Sequence, residues 1–172
     1  AGTLKPEAVV ISLAPKIPIA ALTTILGGFR RIVRMNPNAP SIVNRGFNPV
    51  IFSSAIPAAE KSELLEFFGI LGQCPEIKEE HLEAYAILTA MGPTYLWFQL
   101  YELLELGASF GLSTRDVETG IAAMVNGVAA TMFESGLTPA QVMDLVPVKP
   151  LGEDEATIKN LYQTKLTALY KK

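Results

Sequence analysis

The segment from Thr89 to Leu112, TAMGPTYLWFQLYELLELGASFGL, decides how this chain is organised. Gly92 and Pro93 interrupt its start, and Pro93 suits the first position of a helix because its missing N–H would have no partner there. The residues that follow predict one helix of about 18 residues, roughly 27 Å long, which loosens and stops at Gly107 and Gly111. A helix that is apolar over most of its circumference is normally buried on more than one side, and a partner chain is the simplest second layer. Its polar side chains form only one narrow stripe, at spacings of three and four: Gln99, Glu102, Glu105 and Ser109.

The residues before this helix predict an incomplete α/β domain. Strand, helix, strand, strand, helix is the second half of such a domain rather than a whole one. No strand pattern returns after Ile77, so we predict two domains, 1–77 and 78–172, the second all helical. Neither a G-x-G-x-x-G nor a P-loop sequence occurs in the chain, although a half-domain of this kind implies a nucleotide site. Apolar runs and turn residues predict strands at 8–13, 31–35, 46–53 and 73–77, and helices at 18–26 and 57–71.

The charge balance argues against two classes of partner. The chain has 172 residues, is 49% hydrophobic and 18% charged, and carries a net charge of −3. This mild negative balance argues against nucleic acid or an anionic membrane as the main partner. Its basic cluster of Arg30, Arg31 and Arg34 is interpreted as a solvated patch.

The sequence also argues against a membrane span, a disulfide and a cysteine nucleophile, and we assign no metal site. The 18 uncharged residues between Glu83 and Glu102 approach the length of a span, but Gly92-Pro93 within them favours a buried helix pair. Cys74 is the one cysteine, which excludes an internal disulfide and fits a reducing, cytoplasmic compartment. Cys74 and His81 lack an orienting carboxylate pattern, so we interpret them as an ordinary thiol and a surface histidine.

The Thr89–Leu112 segment resembles the Gly-Pro-Ala-Tyr helix of the pyrroline-5-carboxylate reductases. The match extends over nearly all 172 residues and implies the C-terminal portion of such a reductase, without the half that carries the dinucleotide fingerprint. The implied fold is the second half of a Rossmann-like domain, followed by an all-α dimerisation domain like the C-terminal domain of 6-phosphogluconate dehydrogenase. The resemblance also implies NADP as cofactor of the intact enzyme, a cyclic imine as small-molecule substrate, and a homodimer through the C-terminal helices. The residues that carry it are Gly92-Pro93-Thr94-Tyr95, Glu102-Leu103-Leu104, Gly107 and Gly111-Leu112, with Glu83-Ala84 where the family usually has Asp-Ala.

The resemblance implies cofactor-binding residues in two segments. Ser12-Leu13-Ala14 resembles the start of the family's Ser-x-Ala-Ala-Gly loop near the nicotinamide, with Pro15-Lys16 in place of Ala-Gly. Arg34, followed by Pro37-Asn38-Ala39-Pro40, resembles Arg-x-Met-Pro-Asn-Thr-Pro, with Asn36 where methionine is expected. The implied cofactor-binding residues are Ser12, Ala14, Asn36, Pro37, Asn38 and Pro40.

The implied substrate site departs further from the family. Thr89-Ala90-Met91-Gly92-Pro93 stands in for Ser-Gly-Ser-Gly-Pro, which implies substrate binding by Thr89, Met91, Gly92 and Pro93. Where the family has Ser-Pro-Gly-Gly-Thr-Thr, this chain reads VKPLGEDEATI from Val148 to Ile158, and Thr157 aligns with the motif's end as the implied catalytic residue. Carboxylates replace the glycines and hydroxyls at 153–155 and would repel an anionic substrate. Their simpler interpretation is an acidic helix N-terminus.

Three functions stay open on the sequence. The first is a portion of a reductase that passes hydride from NADPH to pyrroline-5-carboxylate in L-proline biosynthesis. The second is a related NAD(P)-dependent reductase with a different substrate, because the substrate loop is altered. The third is a non-catalytic helical dimerisation module. Since the fingerprint is missing, we expect this chain alone to be inactive.

Overall fold

The computed structural model describes residues 4–171, so the outermost limits of the two predicted domains, residues 1–3 and 172, lie outside the described residues. The chain divides into two compact units. The first holds the chain up to Pro93 together with the residues from Leu169 onward, and the second runs from Thr94 to Ala168. All strands of the described chain belong to the first unit, which confirms the predicted order of an α/β part followed by an all-α part.

The first unit is built on a small mixed sheet. The strands of this unit, in two sheets, are β1 (Val10–Ser12), β2 (Ile32–Met35), β3 (Gly46–Phe47), β4 (Val50–Phe52) and β5 (Gly72–Gln73). The main sheet has the order β1-β2-β4, in which β1 and β2 are parallel and β2 and β4 are antiparallel. Its helical segments are α1 (Ile19–Ile25), α2 (Ala58–Phe68) and α3 (Leu82–Tyr85), short 3-10 turns at Ala39–Val43, Gly69–Leu71 and Glu79–His81, and a π-helix at Ala86–Ala90.

The core of the first unit lies between this sheet and α2. Apolar side chains of β2 and β4 pack against side chains from α2 and from the loop before it. Burial of each such side chain contributes about 1.5–3 kcal/mol to stability. The cluster consists of Val33, Met35, Val50, Phe52, Ile56 and Phe68.

The single strand predicted at 46–53 is wrong, because it is divided into β3 and β4, which belong to different sheets. Asn48 and Pro49 cause the division. Pro49 has no backbone N–H to donate to a ladder. The Asn48 side chain is fully buried, accepts from the backbone N–H of Asn38 at 2.9 Å and donates to the carbonyl oxygen of Leu71 at 3.3 Å. β3 therefore pairs with β5, and β4 pairs with β2.

The helical part begins with α4 (Gly92–Ser109), which has 18 residues and confirms the helix predicted from the opening segment. Ser113 caps α5, because its side chain accepts the backbone N–H of Asp116 at 3.2 Å. Within residues 4–171, no helix combines the length and apolar character needed to cross a membrane. The remaining helices are α5 (Thr114–Glu134), α6 (Pro139–Asp144) and α7 (Glu155–Tyr170).

Gly107 has a different role from the one predicted. The sequence suggested that it loosens the end of α4, but it lies inside the helix and is buried. A Cβ at this position would lie 2.6 Å from Cγ1 of Val117, so glycine allows α5 to approach α4 closely. Gly111, with φ of +88°, is the residue that turns the chain after the helix.

The two units divide after Pro93, whereas the sequence predicted a domain boundary after residue 77. Polar contacts explain the difference. Arg34 on β2 forms ion pairs with Glu79 and Glu83, and the Asn38 side chain donates to the carbonyl oxygen of Thr89. Residues 78–93 therefore pack with the α/β part, although they are helical.

Candidate cofactor and substrate site

The carboxyl ends of β1 and β2 lie side by side at one edge of the sheet, because these two strands are parallel. Ser12 is the last residue of β1 and lies opposite Arg34 in the register. Its Oγ accepts the backbone N–H of Ala14 at 3.3 Å, and both residues are half-buried. Ligands of open α/β sheets bind outside the carboxyl ends of the strands. Two predicted cofactor-binding residues thus lie where this fold places a ligand.

Asn38 joins the segment after β2 to the segment before α4. Its Nδ2 donates to the carbonyl oxygen of Thr89 at 3.3 Å, and its Oδ1 accepts the backbone N–H of Phe47 at 3.1 Å. The amide is therefore engaged within the protein at both polar atoms, so Asn38 acts as a bridge. Asn36, Pro37 and Pro40 lie on the same segment and are also half-buried. The structure brings the predicted cofactor segment and the predicted substrate segment together.

The predicted substrate residues lie at a π-helix. The hydroxyl of Thr89 donates to the carbonyl oxygen of Tyr85 at 2.7 Å. The backbone N–H of Met91 donates to the carbonyl oxygen of Ala86 at 2.9 Å, which is the five-residue spacing of a π-turn. Such turns are rare and frequently occur at functional sites. Gly92 and Pro93 follow directly as the first residues of α4. A Cβ at Gly92 would meet nothing within 4 Å among the described atoms, so close packing is not the reason that this residue is a glycine.

Arg34 is the residue whose role the sequence analysis missed. It was assigned to a solvated patch, which is wrong, because Arg34 is only 3% exposed. Its guanidinium forms ion pairs with Glu79 at 2.9 Å and with Glu83 at 3.3 Å. Two signals could have revealed it: an arginine within an apolar strand needs a buried partner, and Glu79 and Glu83 are four residues apart on one helical face.

Thr157 is an exposed residue in the first turn of α7, in the second unit. The convergence of the other predicted site residues occurs within the first unit and does not include it, so its role stays a prediction. Glu155 is the first residue of α7. A hydrogen bond and ion pair with Lys159 lower the pKa of Glu155, and its position supports the interpretation of an acidic helix N-terminus.

The altered segment before α7 lines an open cavity of about 440 Å³ within the second unit. Its wall is mainly apolar but includes Lys149 and Lys159 beside the carboxylate of Glu155. These two ammonium groups offset part of the negative charge that the sequence alone suggested. The apolar wall consists of Met143, Pro150, Leu151, Gly152 and Ile158.

Cys74 has the environment of an ordinary thiol. It is half-buried, and burial raises its pKa, with a smaller opposing effect of the Asn48 side chain 3.8 Å away. A raised pKa leaves less of the reactive thiolate at neutral pH. Across residues 4–171, there is no group of three or more His, Cys, Asp or Glu side chains that could hold a metal ion.

Comparison with known proteins identifies relatives of this chain. Pyrroline-5-carboxylate reductase of Corynebacterium melassecola is 27% identical over 166 residues, which are 95% of this chain and 61% of the relative. The enzyme of the same name from Pseudomonas aeruginosa is 27% identical over 170 residues, 98% of this chain and 62% of the relative. No family model matches the chain.

Solved structures show the same likeness. The crystal structure of Plasmodium falciparum pyrroline carboxylate reductase with NADP bound aligns with 95% of this chain and 67% of its own, at a TM-score of 0.76 and 22% identity. A pyrroline-5-carboxylate reductase from Coxiella burnetii aligns with 94% of this chain and 60% of its own, at a TM-score of 0.64 and 27% identity. The fold class implied by the sequence resemblance is thereby confirmed.

The chain spans about three fifths of the length of the curated relatives that it matches. Over this length it is similar to the C-terminal portion of the pyrroline-5-carboxylate reductases.

Proposed function

We propose that this chain is the C-terminal part of an NADPH-dependent reductase that converts the cyclic imine pyrroline-5-carboxylate to L-proline. The observation that carries the proposal is the hydrogen bond from Asn38 to Thr89, which joins the segment after β2 to the π-helix before Gly92-Pro93. Both segments resemble the family's motifs, with departures at Asn36 in the first segment and at 89–91 in the second. The relatives named above support the same activity for the whole protein.

The residues present fit the nicotinamide end of such a cofactor. Ser12 and Ala14 are small and half-buried, and they lie at and just after the carboxyl end of a parallel strand, where open α/β sheets bind ligands. Asn36, Pro37, Asn38 and Pro40 follow the neighbouring strand β2. NADPH supplies the hydride, and the chain's own residues orient the ring. The pyrophosphate would require the glycine turn and helix N-terminus of a nucleotide-binding half, whose fingerprint this sequence lacks.

The substrate would bind at the π-helix and the start of α4. Thr89, Met91, Gly92 and Pro93 form this region, and the wide π-turn directs backbone groups away from the regular helical pattern. We assign Thr157 the role of a hydroxyl that contacts the ring nitrogen, on the basis of its alignment with the end of the family's Ser-Pro-Gly-Gly-Thr-Thr motif. We further propose a cytoplasmic location, which the free thiol of Cys74 supports.

We propose a homodimer formed through the C-terminal helices. Within the described chain, α4 leaves large apolar side chains in solvent: Trp97 is 45% exposed, and Phe98 and Tyr101 are each 67% exposed. On α5, Phe133 is 81% exposed. Several large apolar side chains left in solvent on the helices of one folded chain are consistent with a protein interface. A second copy would also cover the apolar cavity of about 510 Å³ between α4 and α7.

A reductase assay tests the proposal. The chain would be expressed joined to the nucleotide-binding half of a relative, and NADPH consumption would be followed with pyrroline-5-carboxylate. We expect turnover, and a loss of about 10²-fold or more in kcat/KM for Thr157→Val. No turnover with any cyclic imine would contradict the proposal.

The altered segment at 148–158 favours a second candidate, a reductase with a different substrate. Its cavity combines an apolar wall with Lys149 and Lys159, which differs from the glycine-rich, hydroxyl-bearing loop of the family. Turnover of other cyclic imines with a lower KM than pyrroline-5-carboxylate would select this candidate. A dimer without turnover of any imine would instead select a non-catalytic dimerisation module.

A further inference from the structure

The turn between β1 and α1 is bonded to two carboxylates that are distant in sequence. The backbone N–H of Lys16 donates to Oε1 of Glu83 at 3.0 Å, across 67 residues. The backbone N–H of Ile19 donates to Oε1 of Glu79 at 2.7 Å, across 60 residues. Hydrogen bonds to an ionised acceptor are stronger than those between neutral groups. These two contacts therefore restrain the turn directly beside Ser12 and Ala14.

Lys16 needs such a restraint because its backbone is left-handed. Its φ is +61°, a conformation that non-glycine residues seldom adopt, because Cβ crowds the following carbonyl oxygen. A lysine here would drift towards the common regions of φ and ψ unless a tertiary contact opposed the drift. The carboxylate of Glu83 provides that contact.

Arg34 connects both carboxylates to the sheet. Its Nη1 lies 2.9 Å from Oε1 of Glu79, and its Nη2 lies 3.3 Å from Oε1 of Glu83. The Arg34 side chain is 4% exposed, whereas those of the two glutamates are 36% and 35% exposed. Its Nε has no hydrogen-bond partner among the described residues, so the guanidinium is held through Nη1 and Nη2 by these two acids. A buried cation on a rigid strand thus determines where both carboxylates lie.

We propose that Glu79 and Glu83, fixed by Arg34, are positioning residues for the site. Together these three residues form a clamp that fixes residues 13–19 and, through them, the backbone at Ser12 and Ala14. The role in catalysis rests on the proposed function, in which Ser12 and Ala14 contact the cofactor. The clamp itself concerns only the backbone of this chain and is tested independently.

Amide hydrogen exchange of the 172-residue chain, followed by NMR, tests the clamp. In Glu83→Ala, exchange at the Lys16 amide should accelerate about tenfold or more, and by more than at Ile19. In Glu79→Ala, exchange at the Ile19 amide should accelerate more than exchange at the Lys16 amide. Glu80→Ala, a change at an exposed residue of the same 3-10 turn, is the matched control and should leave both amides unchanged. Unchanged exchange at Lys16 in Glu83→Ala would overturn the clamp.

A rescue experiment separates positioning from simple destabilisation. The chemical shift of the Ala14 amide, which donates to Ser12, should move in Glu83→Ala and return towards the wild-type value in Lys16→Gly/Glu83→Ala. Glycine adopts positive φ without the steric penalty, so the turn needs the carboxylate less. If Glu83→Ala fails to fold, Glu83→Gln, which keeps the shape and loses the charge, should still accelerate Lys16 exchange severalfold. A shift that does not return in the double variant would overturn the positioning role.

The kinetic readout distinguishes the two proposals. Joined to a nucleotide-binding half, Glu83→Ala should raise the KM for NADPH with a smaller effect on kcat. An active Glu83→Ala enzyme with unchanged KM would overturn the positioning role. An inactive wild-type enzyme with the expected exchange pattern would instead overturn the proposed function and leave the clamp supported.

Discussion

The side-chain amide of Asn38 donates to the carbonyl oxygen of Thr89 at 3.3 Å, across 51 residues of sequence. Proline explains why this carbonyl needs a side-chain donor. In a regular helix the oxygen of Thr89 would accept the backbone N–H four residues later, but that residue is Pro93, which has none. The interruption that starts α4 thus creates the acceptor through which the two predicted site segments meet.

Asn38→Ala should lower the free energy of unfolding by about 1–3 kcal/mol, because it removes the Asn38 partner of two backbone groups, at Thr89 and Phe47. Urea unfolding followed by circular dichroism measures the change. Asn38→Asp keeps the acceptor for Phe47 but places a carboxylate oxygen against the carbonyl oxygen of Thr89, so it should cost at least as much stability as Asn38→Ala. A loss below about 0.5 kcal/mol for Asn38→Ala would contradict this assignment.

Gly127→Leu should convert the proposed dimer to monomers while α5 stays helical. A Cβ at Gly127 meets nothing within 4 Å in the described protomer, so the larger side chain is accommodated there and clashes only with a second copy. The interface should bury more than about 2,000 Å² and be strongly apolar. Light scattering at micromolar concentration measures the mass, and a monomeric wild-type chain would exclude the dimer.

Gly107→Ala is the contrasting variant for that experiment. A Cβ at Gly107 lies 2.6 Å from Val117 of the same protomer, so this change should disturb the packing of α4 against α5. We expect a loss of about 1–3 kcal/mol in stability from overpacking. The mass at temperatures below unfolding should stay that of the wild type.

The chain by itself should bind NADPH weakly or not at all. Pyrophosphate is held in this fold class by a glycine turn and a helix N-terminus, and the sequence contains no such fingerprint. Calorimetric titration is the measurement. A dissociation constant in the low micromolar range would mean that the nucleotide site lies within these residues.

Replacing Glu153, Asp154 and Glu155 by Gly, Thr and Thr should lower the KM for pyrroline-5-carboxylate in a form that includes the nucleotide-binding half. The exchange removes three carboxylates near an anionic substrate and restores the family's residue types. Because Lys159 already pairs with Glu155, we expect most of the gain from positions 153 and 154. An unchanged KM with efficient wild-type turnover would show that the acidic residues lie away from the substrate.

Cys74 should react slowly with an alkylating reagent in the folded chain. Burial raises its pKa, so a smaller fraction is thiolate at pH 8 than in the unfolded chain. The same shift gives a pH dependence: as pH rises past the unfolded pKa, the unfolded chain loses this proton first, and stability falls. Urea unfolding between pH 7 and about 10 should show this decline, and Cys74→Ser should remove the Cys74 contribution. Equal alkylation rates in folded and unfolded chains would contradict the assignment.

The amino-acid sequence by itself determined the features that depend on neighbouring residues. The length of α4, its start at Gly92-Pro93 and the Ser113 cap follow from helical spacing, from the missing proline N–H and from a hydroxyl that reaches three residues along the chain. The order of an α/β part before a helical part follows from the change in apolar periodicity. Each of these signals is complete within one short stretch, so it can be interpreted without knowing which distant residues pack against it.

Only the tertiary structure decided which distant residues meet. In the sequence, Arg34 belongs to a basic cluster. In the folded chain it contacts Glu79 and Glu83, which lie 45 and 49 residues further along the chain. The break at Asn48-Pro49 depends on the carbonyl of Leu71, and the meeting of the two site segments depends on Asn38 and Thr89. Each such hydrogen bond forms only when both partners arrive within about 3 Å at the correct angle, a condition that residue type and spacing do not specify.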